Sequence, residues 1–212
     1  MEKIRLKICG LRDNIQEVAL LRPDYAGFIF YASSPRYVGE DFVMPELHEL
    51  IKKVGVFVNE PVECVLEKVR KYRLDFAQFH GSESPEICAE IADAGFGVIK
   101  AFQMDDNFDF SQLQQYDATV DYFLFDTKTK SYGGSGTAFN WEILKKYNME
   151  KPYFLSGGIS LENLEGLNEV DLSQVHALDV NSKFEVKPGL KNIEKLERLK
   201  DFIIYNLGDR AS

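Results

Sequence analysis

Eight short apolar runs, rich in β-branched and aromatic residues, recur along the chain with helical or turn-like stretches between them. They are "KIRLKIC" (3–9), "YAGFIF" (25–30), "KVGVFV" (53–58), "DFAQFH" (75–80), "GVIKAF" (97–102), "DYFLFD" (121–126), "PYFLS" (152–156) and "VHALDV" (175–180). Most show little apolar/polar alternation, the pattern of strands covered on both faces in a parallel sheet. The intervening stretches carry helix signals. Asp13 with Gln16 reads as a capping box before Ile15, Val18 and Ala19, and Pro61 follows Asn59 and Glu60 as a first-turn proline. Ser84–Pro85 repeats that device, Ser160 and Asn192 open two further segments, and a fifth helix is expected within 110–118. Eight such units in 212 residues predict one α/β domain over 1–212, a compact (β/α)8 TIM barrel. The rival is an open doubly wound sheet. It would carry fewer strands, and its dinucleotide-binding form would place a Gly-rich fingerprint after the first strand, which "CGLRDN" is not.

Composition narrows the partners. With 45% hydrophobic and 13% aromatic residues the chain can fill a core. A formal net charge of −9 argues against nucleic acid or an anionic membrane as partner, but not against a small anion in a locally positive pocket. Three cysteines (Cys9, Cys64, Cys88) without a CxxC pair suggest neither a disulfide framework nor a zinc cage. No run is long enough to span a bilayer and the first ten residues lack the apolar core of a leader, so a cytoplasmic protein is expected.

A barrel of this kind gathers its chemistry at the C-terminal ends of the strands. There the chain offers Cys9, Arg36 in "SSPR", His80, Asp126, "SGGIS" (156–160) and "DVNSK" (179–183). Free cysteine is usually a small core residue, but one at a strand's end beside Gly10 can reach the pocket as nucleophile or base. Asp126 either caps a helix or pairs with Lys128, or is a carboxyl whose partial burial keeps its proton available for donation. Gly157 and Gly158, next to an expected helix start, suit a phosphate, although paired glycines also simply make turns. Arg36 offers a planar fork for a carboxylate. His80 reads first as a hydrogen-bonded structural residue, and "YGGSGTAF" (132–139) as a lid or a linker.

Taken jointly, "KICGL", "GFIFYASSPRYV", "VGVFVN", "AQFHG", "LFDTK", "YGGSGTAFNW", "LSGGIS" and "LDVNSKFE" resemble the phosphoribosylanthranilate isomerase family over nearly the whole chain. The resemblance implies a cofactor-free, metal-free Amadori rearrangement in tryptophan biosynthesis. In it Asp126 is the general acid and Cys9 the general base. Arg36 would hold the anthranilate carboxylate, and Gly157, Gly158, Asn181 and Ser182 the phosphate, with Asp179 and His80 lining the substrate site. A base must be a thiolate, so Cys9 is expected to titrate below its free value with Lys7 supplying positive potential. The expected partner is the phosphorylated small-molecule substrate alone, bound by a monomer.

The chain departs from the family pattern at Lys183, where Gly usually follows Ser182, at Asn140, often Asp, and at Ser156, often Ala. Lys183 could crowd the phosphate or attract it. Two rivals remain. Another sugar-phosphate barrel isomerase or epimerase would in its metal-dependent form need ligands that His48 (on an expected helix), His80 and His176 supply poorly. A barrel that binds without catalysing is the other.

Overall fold

The computed structural model describes residues 3–127 and 141–207. Each of the eight apolar runs forms a strand: β1 (Arg5–Ile8), β2 (Tyr25–Ile29), β3 (Lys52–Phe57), β4 (Phe76–Phe79), β5 (Gly97–Met104), β6 (Tyr122–Thr127), β7 (Tyr153–Ser156) and β8 (Val175–Val180). All pair in parallel with their sequence neighbours, and β1 pairs with β8 from Arg5↔Ala177 to Ile8↔Val180, closing the barrel. A short antiparallel ribbon, β9 (Glu185–Lys187) with β10 (Leu190–Lys191), follows β8.

The outer layer is less regular than the sequence pattern implies. Among the described residues the α-helices are α1 (Ile15–Leu20), α2 (Val62–Lys71), α3 (Pro85–Asp93) and α4 (Ile193–Phe202). Tight 3₁₀ turns at Phe110–Tyr116, Trp141–Lys146 and Leu164–Glu169 stand where other barrel helices would be. Between β2 and β3 there is no helix, and His48 lies in irregular chain rather than on a helix. Pro45 interrupts that stretch, and its core-facing Phe42, Met44 and Leu47 are spaced by two and three, not by helical turns.

The caps sort likewise. Asn192 caps α4, its side chain accepting from Lys195 N at 3.0 Å, and Ser84–Pro85 opens α3. Asp13 does not cap α1. Its carboxylate is held by Arg12 at 2.7 Å, and Asn14 takes the cap position while bonding across to the backbone of Lys191.

The lower half of the barrel is plugged by Tyr25, Val54, Ile99, Ala101, Leu124, Phe154 and Ala177. Outside, Phe28, Phe57, Phe79 and Phe123 are fully buried in the larger core that includes Val65, Val69, Ile91, Leu196 and Leu199 of the helices. Each such side chain contributes about 1.5–3 kcal/mol by leaving water. Above the apolar plug the inward positions turn polar, and the barrel opens.

Candidate active site

The opening is a cavity of about 470 Å³ at the C-terminal ends of the strands, within the range of small-molecule sites. Cys9, Arg36, His80, Asp126, Gly157, Gly158, Asp179, Asn181 and Ser182 all line it, so every residue singled out for the site is brought to one place.

β1 delivers the thiol. Side chains alternate across a strand, so Lys7 and Cys9 share one face. Lys7 is fully buried and donates to Asp179 Oδ1 at 2.9 Å. The thiol has room because Gly27 stands beside it on β2: a Cβ there would lie 2.9 Å from Cys9 Sγ. The expected titration is reversed. Burial pushes the Cys9 pKa up, and neighbouring Lys7 and Lys191 only partly draw it back. Burial opposes charge on Lys7 too, but its neighbours, Asp179 first among them, more than offset it and raise the Lys7 pKa. Resting Cys9 is therefore a thiol beside two buried amines, Lys7 drawn upward by Asp179 and Lys191 pushed downward by burial.

Asp126 stands at the end of β6 in register with Gln103 and Ser156. As the apolar strand behind it implied, its side chain is partly buried, 32% exposed. His80 Nε2 lies 3.2 Å from Asp126 Oδ2, and Gln78 Nε2 lies 3.1 Å from His80 Nδ1. With the Gln78 amide nitrogen turned to it, Nδ1 accepts, and in that tautomer Nε2–H faces Asp126 Oδ2. Asp126 and His80 both act electrostatically on Asp179, and Asp179 acts on Cys9, so the four side chains surround one space.

The turn carrying His80 is clamped from below. Buried Lys100 donates to Gly81 O at 2.8 Å and to Glu83 Oε2 at 3.2 Å, while Glu83 accepts from Gly81 N and Asn59 N. Such a pair costs desolvation unless its lone pairs are filled, and here backbone groups fill them.

Arg36 is already engaged. Its Nε and Nη2 grip Glu185 at 2.7–3.0 Å, and Glu185 also accepts from Lys191 Nζ at 2.8 Å. Lys191 Nζ reaches Asn181 Oδ1 at 2.8 Å as well.

After β7, Gly157 and Gly158 adopt φ of +84° and +66°, a left-handed path that only glycine follows without strain. No α-helix starts there. Ser160 N donates to Asn163 Oδ1, and the 3₁₀ turn comes later. The positive end of a helix is thus replaced by loop geometry, and exposed Lys183 adds a cation to the cavity wall. The stretch 132–139, Asn140 and Lys128 lie outside the described residues. Among the described residues no group of three or more His, Cys, Asp or Glu side chains is placed to hold a metal.

The sequence reading missed Gln78, Glu83, Lys100, Glu185 and Lys191. A polar residue two positions before a strand-end site residue shares its inward face, and that signal was available for Gln78.

The family model described as N-(5'-phosphoribosyl)anthranilate (PRA) isomerase matches residues 6–201. The chain is 44% identical over 206 residues to N-(5'-phosphoribosyl)anthranilate isomerase of Parabacteroides distasonis, covering 94% of this chain and 93% of that one. Its fold matches the crystal structure of phosphoribosyl anthranilate isomerase from Thermotoga maritima with a TM-score of 0.80 at 31% identity, covering 95% and 98% of the two chains. It also matches such an isomerase in complex with reduced 1-(o-carboxyphenylamino)-1-deoxyribulose 5-phosphate, with a TM-score of 0.77 at 29% identity over 97% and 99%.

Proposed function

The chain belongs to the N-(5'-phosphoribosyl)anthranilate isomerase family, and from that premise we propose how its residues divide the reaction. The enzyme converts N-(5-phosphoribosyl)anthranilate to 1-(2-carboxyphenylamino)-1-deoxyribulose 5-phosphate in tryptophan biosynthesis, by an Amadori rearrangement.

Asp126 is the general acid. It gives its proton to the furanose ring oxygen as the C1'–O bond breaks and the anilino lone pair forms C1'=N. Cys9 is the base. Its thiolate takes the C2' proton, the C2'–H electrons become the C1'=C2' bond, and the iminium nitrogen is neutralised. The resulting enolamine tautomerises to the ketone. Lys7 and Lys191 favour the thiolate that this step needs, against the burial that resists it. His80, held by Gln78, orients Asp126. Arg36 receives the aryl carboxylate, and Asp179 and His80 line the pentose. Gly157, Gly158, Asn181 and Ser182 cradle the phosphate, with Lys183 adding charge. No cofactor or metal enters these steps. On this reading a single domain spanning 1–212 acts as a monomer and works in the cytoplasm.

The observation that carries this division of labour is that Cys9 and Asp126, 117 positions apart in sequence, line one cavity with an anion loop at its rim. Fluorescence of phosphoribosylanthranilate reports turnover directly. Wild-type activity should vanish in both Cys9→Ser and Asp126→Asn, with the folded state intact by circular dichroism. Activity retained in either variant removes that residue from its role. An inactive wild type that still binds phosphorylated sugars would mark a binding module instead.

A further inference from the structure

Arg36 is the residue assigned to the substrate's aryl carboxylate, yet its fork is not free. Nε lies 3.0 Å from both Glu185 oxygens and Nη2 lies 2.7 Å from Oε2, so a carboxylate of the chain itself occupies the Nε/Nη2 edge. Guanidinium has five N–H donors in one plane. With that edge taken, the Nη1 group is left without a partner among the described residues, on a side chain that lines the cavity.

Glu185 is itself fixed. Its side chain is 4% exposed, and Oε1 accepts from Lys191 Nζ at 2.8 Å and from Gly189 N at 3.2 Å. Lys191 has a fully buried side chain, is tied to Asn181 Oδ1 at 2.8 Å, and has its backbone N–H and C=O bonded to Asn14. Charges in the cluster are two cations against one carboxylate. Counted by itself, this cluster holds one cation more than Glu185 neutralises, which a substrate carboxylate on Arg36 would balance.

We propose that Glu185, anchored by Lys191, is the positioning residue that turns Arg36 edge-on and so sets the enzyme's specificity for a substrate bearing an ortho carboxylate. The same cluster reaches Asn181, so the carboxylate end and the phosphate end of the pocket share one rigid support. The proposal rests on Arg36 being the carboxylate receptor.

Charge and orientation predict opposite signs for Glu185→Gln. By charge alone, removing an anion beside the receptor would tighten an anionic ligand. By orientation, a Gln amide cannot accept both Arg36 donors and Lys191 together, the guanidinium swings, and binding weakens. The test measures inhibition by the reduced product analogue carrying the carboxylate and by the matching phenylamino analogue without it. Glu185→Gln should raise Ki for the carboxylated inhibitor about tenfold or more, the scale of one charge-assisted hydrogen bond, and leave the other within about twofold. Glu185→Asp, which keeps the charge but draws it back by one methylene, should show the same selectivity and serves if the Gln variant folds poorly. Equal losses on both inhibitors would mean a merely structural role, and tighter binding of the carboxylated one would mean charge alone acts; either overturns the proposal. Arg36→Met run in parallel keeps the two readings apart. If it is unselective, the Arg36 assignment fails; if it is selective while both Glu185 variants are not, only the positioning inference fails.

Discussion

Gly27 makes room for the proposed base, and adding one carbon there is a sensitive probe of the site. In Gly27→Ala the new Cβ would sit 2.9 Å from Cys9 Sγ, 3.0 Å from Cys9 Cα and 3.2 Å from Cys9 Cβ. Comfortable contacts lie near 3.5–4.0 Å, so the thiol and its backbone must retreat by about 0.5–1 Å. Two of the three atoms move only if β1 shifts, and β1 is pinned on its other side by β8, with Cys9 N donating to Val180 O at 2.9 Å. Overpacking of this kind costs about 1–3 kcal/mol, which for a domain of this size lowers Tm by roughly 2–12 °C. The effect on rate should be larger. A reacting group misplaced by about 1 Å loses on the order of 100-fold, so kcat should fall roughly 30- to 100-fold while KM moves little. Arg36 and the glycines proposed for the phosphate lie outside β1 and β2. Thermal melts and the fluorescence assay read the two effects independently. A Gly27→Ala enzyme with wild-type kcat would refute the claim that this gap positions the sulfur.

In Lys7→Met, loss of the cation beside Cys9 should raise the thiol pKa further, since a positive neighbour favours thiolate and its removal penalises it. The acid limb of kcat/KM, along which activity rises with pH as thiolate forms, should therefore move to higher pH than in the wild type; a shift the other way would contradict the assignment of Cys9 as base. Lys183→Ala should raise KM several-fold at low salt with kcat unchanged, and the difference should fade as salt screens this exposed charge; identical KM values would exclude a phosphate role. Lys100→Met leaves Glu83 buried without its partner and should cost about 3–5 kcal/mol in urea denaturation, with part recovered in the Lys100→Met/Glu83→Gln double variant; a loss below about 1 kcal/mol would mean the clamp on the His80 turn is inessential.

What was readable beforehand divides along physical lines. Strands announce themselves because burial on both faces leaves continuous apolar runs, and all eight lie where "KIRLKIC" through "VHALDV" placed them. The rule that chemistry sits at strand ends then gathered Cys9, His80, Asp126 and the paired glycines without any distance. Helices were less legible. A Ser or Asp before an apolar residue marks a start but not whether the following turns wind as α or 3₁₀, and Leu164–Glu169 winds as 3₁₀. The network of Arg36, Glu185 and Lys191 was hidden because its members are 149 and 155 positions apart from Arg36. Nothing local records that pairing. The direction of the Cys9 titration failed for a related reason: a nearby Lys7 is visible in the sequence, whereas the depth at which both are buried is a property of the closed barrel.

β1 is the strand that seals the ring, hydrogen-bonded to β2 on one flank and β8 on the other, and it is also the strand that carries the sulfur. The ring cannot close through β1 without bringing the proposed base to its mouth. An assembly intermediate with seven strands docked would display Asp126 and an unguarded trough but could not abstract a proton. Competence therefore requires a docked amino-terminal strand, whatever the order in which the staves assemble, and activity regained during refolding should not precede that docking.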